Sequence, residues 1–162
     1  MIVSDEIFDD NRYRANVGIM IVNPSRQVLA GEARHYRGEW IMPHGGIDGS
    51  ESPFEAMQRE LTEETTLEFE NTTLLMEHSD WIGYRTRNLI QKEGKTYIGQ
   101  RQKWFLIEYD GPLPDANQAR DREFVRFDWV SPHWLVQHTT PFKQAIYRRL
   151  FSDFGIATVP EL

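Results

Sequence analysis

The stretch GGIDGSESPFEAMQRELTEETTLEF, residues 45–69, constrains this chain more than any other. It carries the start signals of a helix. Ser52 suits the N-cap, Pro53 the first helical position, and Glu55 completes a capping box. The helix is expected over about 53–65. At about 100° per residue, Phe54, Met57 and Leu61 share an apolar face, and Glu60, Glu63 and Glu64 flank that face instead of opposing it. Like charges at this spacing destabilise a helix by a few tenths of a kcal/mol per pair, about the cost of an ordinary solvated acidic face. Two features favour a bound cation over that ordinary outcome. A Gly45–Gly46 turn stands directly upstream, where backbone must approach something closely or take positive φ. Three carboxylates then converge within about one helical turn, and Mg²⁺ is held by a few carboxylates together with water and phosphate oxygens. Arg59, one turn before Glu63, can neutralise part of the cluster.

A chain of 162 residues fits a single domain, 1–162 with its core over about 13–155. Hydrophobic residues at 40% support a packed core, and the absence of cysteine removes disulfides, thiolate ligands and a cysteine nucleophile. No apolar run is long enough to span a bilayer, and the acidic start MIVSDEIFDDNRYR lacks a signal-peptide core. A cytoplasmic protein without membrane attachment is therefore expected. The net charge of −7 argues against an extended basic surface for nucleic acid, and leaves room for an anionic ligand held by a local patch or a divalent cation.

Along the chain, NVGIMIVNPSRQVLAGEARH reads as two strands around an NPSR turn, and GEWIMPHGG as a short strand entering a glycine turn. TTLLMEHSDWIGYR, TYIGQRQKWFLIEYDG and FVRFDWVS read as further strands, with TRNLIQKEGK as a hairpin or mobile loop and GPLPDANQARDRE as a polar connection. PFKQAIYRRLFSDFG closes the chain as an amphipathic helix, with Phe142, Ile146 and Leu150 at spacing four and Gly155 as C-cap. Strands, a helix, more strands and a last helix describe a mixed α/β fold.

The acidic helix and its upstream glycine resemble the signature of the Nudix hydrolases, G-x5-E-x7-R-E-U-x-E-E-x-G-U. It is matched here by Gly45, Glu51, Arg59, Glu60, Leu61, Glu63, Glu64 and Leu67. Thr66 stands where the family has glycine, which puts the turn after the helix in question. YRANVGIMIVN, GQRQKWFL, FDWV and PFKQAIYRRL look like the bacterial RNA pyrophosphohydrolase branch, also described as dinucleoside polyphosphate hydrolases. The resemblance implies a mixed β-sheet sandwiched between helices. It implies Glu60, Glu63 and Glu64 as ligands to Mg²⁺ or Mn²⁺, Arg59 and Glu51 as an ion pair bracing loop and helix, and the Gly45–Gly46 backbone beside metal and phosphates. Glu123 matches the branch's distant acidic ligand or base.

The implied reaction is metal-dependent removal of pyrophosphate from a 5′-triphosphate RNA end. Nucleoside triphosphates and dinucleoside polyphosphates are alternative substrates of the same site, and a nucleotide-sensing domain without catalysis is an alternative of another class. Glu60, Glu63 and Glu123 all remain open as the general base. Phe142 and Lys143 match branch positions that stack on the terminal base and approach its phosphate or ribose, although Phe142 equally fits the apolar face of the last helix. Arg14 matches a phosphate-contacting arginine, and Arg34 or Arg37 is expected in that role as well. Gln100 should share the face of Gln102 and Trp104, with Lys103 on the other. The acidic net charge fits recognition of only the first one or two nucleotides, with activity set by the divalent ion more than by RNA length. The oligomeric state is left open.

Overall fold

A computed structural model describes residues 2–3 and 11–156. Its eight strands are β1 (Ile2–Val3), β2 (Tyr13–Val22), β3 (Val28–Ala33), β4 (Trp40–Ile41), β5 (His44–Gly46), β6 (Thr73–Lys92), β7 (Lys95–Glu108) and β8 (Phe124–Val130). The helices are α1 (Pro53–Thr65), α2 (Pro132–His138) and α3 (Gln144–Phe154). The strands join in the order β1-β6-β7-β2-β3-β4, with β5 also on β2 and β8 on β3. β2 and β7 run parallel in unbroken register from Tyr13–Gly99 to Val22–Glu108, and β6 and β7 are antiparallel with three register shifts.

Both faces of the sheet are covered. Val17, Ile19 and Ile21 of β2 pack with Phe105 and Ile107 of β7 and with Ala56, Met57 and Leu61 of α1. Met20 and Val22 face the other way, with Trp104 and Leu106, against Leu135 of α2 and Ile146, Leu150 and Phe151 of α3. This two-sided burial is why β2 is apolar along most of its length instead of alternating with polar residues.

α1 begins and ends where expected, with the Ser52–Glu55 capping box formed and Pro53 in the first turn. Two local expectations are corrected, and one helix is added. Gly45 and Gly46 belong to β5 and pair with β2, so they do not form a turn. The segment PHWLVQH is the short helix α2, with Ser131 as its N-cap. Phe142 lies in a 3₁₀ turn, Pro141–Lys143, ahead of α3. Among the described residues, no helix is long and apolar enough to cross a membrane.

Candidate active site

β5 and α1 meet so that the two glycines lie against the functional side chains. A Cβ on Gly45 would occupy the space of the Glu60 carboxylate, and one on Gly46 the space of the Arg14 guanidinium. Neither glycine has positive φ; what the position requires is the missing side chain.

Arg59 organises the acidic groups. It donates to Glu51 at 2.7 and 2.9 Å, to Glu60 at 2.9 Å, to Glu63 at 3.0 Å and to the Gly46 carbonyl at 2.8 Å. The Asp48 N–H donates to Glu51, which ties the 47–52 loop to the same arginine. On the opposite side of Glu63, Arg120 donates to its carboxylate at 2.9 Å and the Asp121 N–H donates to its backbone carbonyl at 2.9 Å. Oxygens of Glu60, Glu63 and Asp121 lie within 4.8 Å of one another. Glu64 is buried beside them and accepts from the His44 N–H at 2.9 Å.

This crowding changes the acidity of the cluster. Burial pushes the Glu60 carboxyl up to about 7 despite its bond to Arg59, and the charges of Glu63 and Asp121 push the same way. Burial also raises Glu64 well above the carboxylate range, helped by Glu60 and Glu123. The Arg59 hydrogen bond holds Glu51 low. These donors fit a hard divalent cation: they are oxygen ligands, close together, and too crowded to ionise freely without a positive charge between them.

Next to the carboxylates is a side-chain cluster of different character, the candidate substrate cleft. Arg14 pairs across β2 and β7 with Gln100, whose side-chain oxygen accepts from the Tyr84 hydroxyl at 2.5 Å. Tyr84 and the half-exposed Phe142 lie 5.4 Å apart, with the Lys143 ammonium 5.5 Å from each ring. Burial lowers the Lys143 pKa to about 8, opposed by Glu39 and Glu64. Burial, then the charges of Lys143 and Arg14, keep the His44 imidazole neutral with a pKa pushed down to about 3. Arg14 and Gln100 of neighbouring strands and the adjacent pair Phe142–Lys143, from three separate stretches of the chain, thus gather around Tyr84 and His44.

Other expected residues lie elsewhere. Arg34 donates to the backbone carbonyls of Arg122 and Phe124 at 2.7 and 3.2 Å, and Arg37 pairs with Glu32 at 3.2 Å. Glu123 is exposed and stands outside the Glu60–Glu63–Asp121 group, although its charge reaches Glu64. Gln102 bridges Asn16 and the Trp104 indole in the core. Asp121, Tyr84 and His44 carry no motif spacing that marks them in the sequence. Asp121 lies in the segment ARDRE, where the density of charge was the available signal.

Thr66, in the glycine position, takes the left-handed conformation at φ 71° and its N–H donates to the Thr62 carbonyl. Threonine hydroxyls secure the turn: Thr62 donates to the Leu67 carbonyl at 2.9 Å, and Thr65 donates to the Leu61 carbonyl and accepts from the Leu67 N–H. The helix ends correctly without the glycine.

The NUDIX domain model matches residues 12–153 of this chain. The RNA pyrophosphohydrolase of Shewanella pealeana is 37% identical over 158 residues, covering 95% of this chain and 91% of that protein. The RNA pyrophosphohydrolase of Proteus mirabilis is 38% identical over 159 residues, covering 95% and 89%. Among solved structures, the E. coli dihydroneopterin triphosphate pyrophosphohydrolase aligns with a TM-score of 0.64 at 16% identity, over 85% of this chain and 95% of that one. A C. elegans Ap4A hydrolase complex aligns at 0.63 and 16%, over 86% and 96%. At such identities the two structures speak for the shared fold alone.

Proposed function

The chain belongs to the NUDIX domain family, and from that premise we propose that it hydrolyses the anhydride between the α- and β-phosphates at the 5′ end of RNA, leaving a 5′-monophosphate and releasing pyrophosphate. The observation that carries this reading is the juxtaposition of the Glu60–Glu63–Asp121 oxygens, within 4.8 Å of one another, with the cluster of Arg14, Tyr84, Phe142 and Lys143. The names of its relatives at 36–38% identity point to the same reaction.

In this proposal Glu60, Glu63 and Glu64, with Asp121 beside them, hold Mg²⁺ or Mn²⁺. A bound divalent cation supplies neutralising charge for phosphate oxygens and makes water more acidic. Arg59 is a positioning residue: its hydrogen bonds to Glu60, Glu63 and the Gly46 carbonyl fix the carboxylates against β5. Glu51 holds Arg59 in turn. Arg14 and Lys143 offer cations to the phosphate chain, and the exposed aromatic face of Phe142, backed by the buried Tyr84, offers a stacking surface to the terminal base, worth about 1–3 kcal/mol. Whichever of Glu60, Glu63 and Glu123 is left unengaged by the cation would accept the proton of the attacking water. Glu123 keeps only an outer place in this reading, close enough to influence Glu64.

The test is a short 5′-triphosphate RNA incubated with Mg²⁺, with the released species separated by chromatography and a dinucleoside polyphosphate assayed in parallel. Pyrophosphate and 5′-monophosphate RNA are the expected products. Rapid cleavage of the dinucleoside polyphosphate with no product from RNA would overturn the assignment of substrate and keep the metal site.

A further inference from the structure

The net charge of −7 hides a local feature of opposite sign. The hairpin formed by the distal parts of β6 and β7, residues 85–97, carries Arg85, Arg87, Lys92 and Lys95 against a single carboxylate, Glu93. All four cations are exposed, and none of them is in an ion pair among the described residues. Elsewhere among the described residues Arg37, Arg59, Arg120, Arg126 and Arg149 have carboxylate partners, and the exposed cations that lack one, such as Arg26, Arg122 and Arg148, are scattered and not gathered on one element. The hairpin is well formed. Lys92 pairs with Lys95 across a two-residue turn in which Glu93 and Gly94 have φ of 52° and 76°, the signs of a type I′ turn.

Its position gives the charge a direction. The Tyr84–Gln100 pair is followed at once by Arg85–Gly99, so the hairpin continues the same two strands, with Arg85 and the Lys92–Lys95 pair on the face of the sheet that carries α1 and its carboxylates. β2 starts at Tyr13, opposite Gly99, and Arg14 lies opposite Gln100. The cleft is therefore at the end of the sheet from which the hairpin projects. Past that level, Ile98 donates to the Arg12 carbonyl and the two strands run on to the turn. From Gly99 to Lys95 the hairpin reaches about 13 Å at strand rise, and residues 86–89 bulge from β6 where the register shifts.

We propose that this hairpin is a guide for single-stranded RNA, its four cations meeting the phosphates of nucleotides downstream of the end bound in the cleft. The inference rests on the RNA reading above. It adds a length dependence to binding which net charge alone does not suggest, and it leaves the chemical step to the carboxylate corner. Like charges held apart on an exposed hairpin repel weakly, and they gain through counterion release when a polyanion replaces their salt atmosphere.

The experiment compares the full-length protein with a variant carrying R85Q, R87Q, K92Q and K95Q, after thermal melting shows both folded. One arm measures binding of 5′-monophosphate RNAs of two and twelve nucleotides by fluorescence anisotropy, without turnover. The other measures kcat and KM on the matching 5′-triphosphates. Wild type should bind the twelve-mer more tightly than the dimer. The variant should lose about tenfold in affinity and KM for the twelve-mer while keeping its kcat and its dimer values, in line with two or three lost phosphate contacts. With three phosphates engaged, raising monovalent salt from about 50 to about 200 mM should weaken the hairpin's share of twelve-mer binding about 20-fold, since the slope is about −0.7 per phosphate. Equal binding of the twelve-mer by variant and wild type would overturn the proposal, as would an equal loss on both lengths. If no RNA is hydrolysed while the twelve-mer binding difference persists, the reaction assignment falls and the hairpin assignment stands.

Discussion

Two networks in this molecule share a local motif and differ in what surrounds it. On α1, Arg59 pairs with Glu63 four residues on; on α3, across the sheet, Arg149 pairs with Asp153 at the same spacing. Each arginine also reaches beyond its helix, Arg59 to Glu51 and Arg149 to Asp80 on β6 at 3.0 Å. Asp153 further meets the buried His78 ring at 2.8 Å, beside a surface cavity of about 450 Å³. The two carboxylates held by Arg149, Asp80 on β6 and Asp153 on α3, keep 39% and 40% of their side-chain surface in water, whereas Glu60 and Glu64 are 7% and 4% exposed as residues. Water screens the first set, and the second must share a dry corner with Glu63 and Asp121. Burial beside neighbouring carboxylates that outnumber the arginines, more than the number of carboxylates alone, distinguishes a corner suited to a cation from a helix brace.

The largest expected effect is at α1. Glu63→Gln should lower kcat/KM by at least about a hundredfold, as expected for loss of a group acting on the reacting water or its ligands, and should leave the circular dichroism of the fold unchanged. Retained activity would place α1 and α3 in the same structural class. Next, Asp121→Asn should weaken Mn²⁺ binding about tenfold to a hundredfold by calorimetry in the absence of substrate, and Glu123→Gln should weaken it less. The reverse order would return Glu123 to the cation.

A third effect follows from acidity. Folded Glu60 keeps its proton up to about pH 7, while a free carboxyl releases it near 4.5. The metal-free protein therefore loses stability as pH rises between those values, because the unfolded chain then binds fewer protons than the folded one. A divalent cation takes the ionised form, so the gain in Tm on adding Mg²⁺ should be larger at pH 8 than at pH 5.5. A gain independent of pH would separate Glu60 from the ion. At α3, Asp153→Asn should cost about 1–2 kcal/mol in denaturant unfolding by weakening the partner of buried His78, with kcat/KM unchanged. The smallest effect is at Thr66. Replacement by glycine should relieve about 1 kcal/mol of left-handed strain and raise Tm by about 2–4 °C without altering activity.

Local signals were legible in the sequence and contacts between distant segments were not. The capping box at Ser52, the α1 boundaries and the Gly155 cap depend on residues a few positions apart, and all three are present. α2 was missed because seven residues give too little periodicity, although Ser131–Pro132 repeats the Ser–Pro start of α1. The glycine pair was read as a turn because glycine marks turns in sequence, yet its role here is to leave space for Glu60 and Arg14. Asp121 contacts the Glu63 carbonyl from a connection 58 residues later, and no spacing rule links the two. Arg34 shows the same limit from the other side: its charge was visible, and its attachment to the 122–124 backbone was not.

The parallel pairing of β2 with β7 also bears on how the protein comes into being. Asn16 and Gln102, bonded in the middle of that pairing, are 86 residues apart in the chain. Contacts across such a loop form late and slowly, because the closure entropy is lost before the pairing is gained. During synthesis, β2 leaves the ribosome long before its central partner exists, and its apolar length stays open to other strands until β7 arrives. Arg14 and Gln100 become neighbours only at that step. The acidic helix can fold from its own local signals, whereas the substrate cleft waits for the closure of β2 on β7.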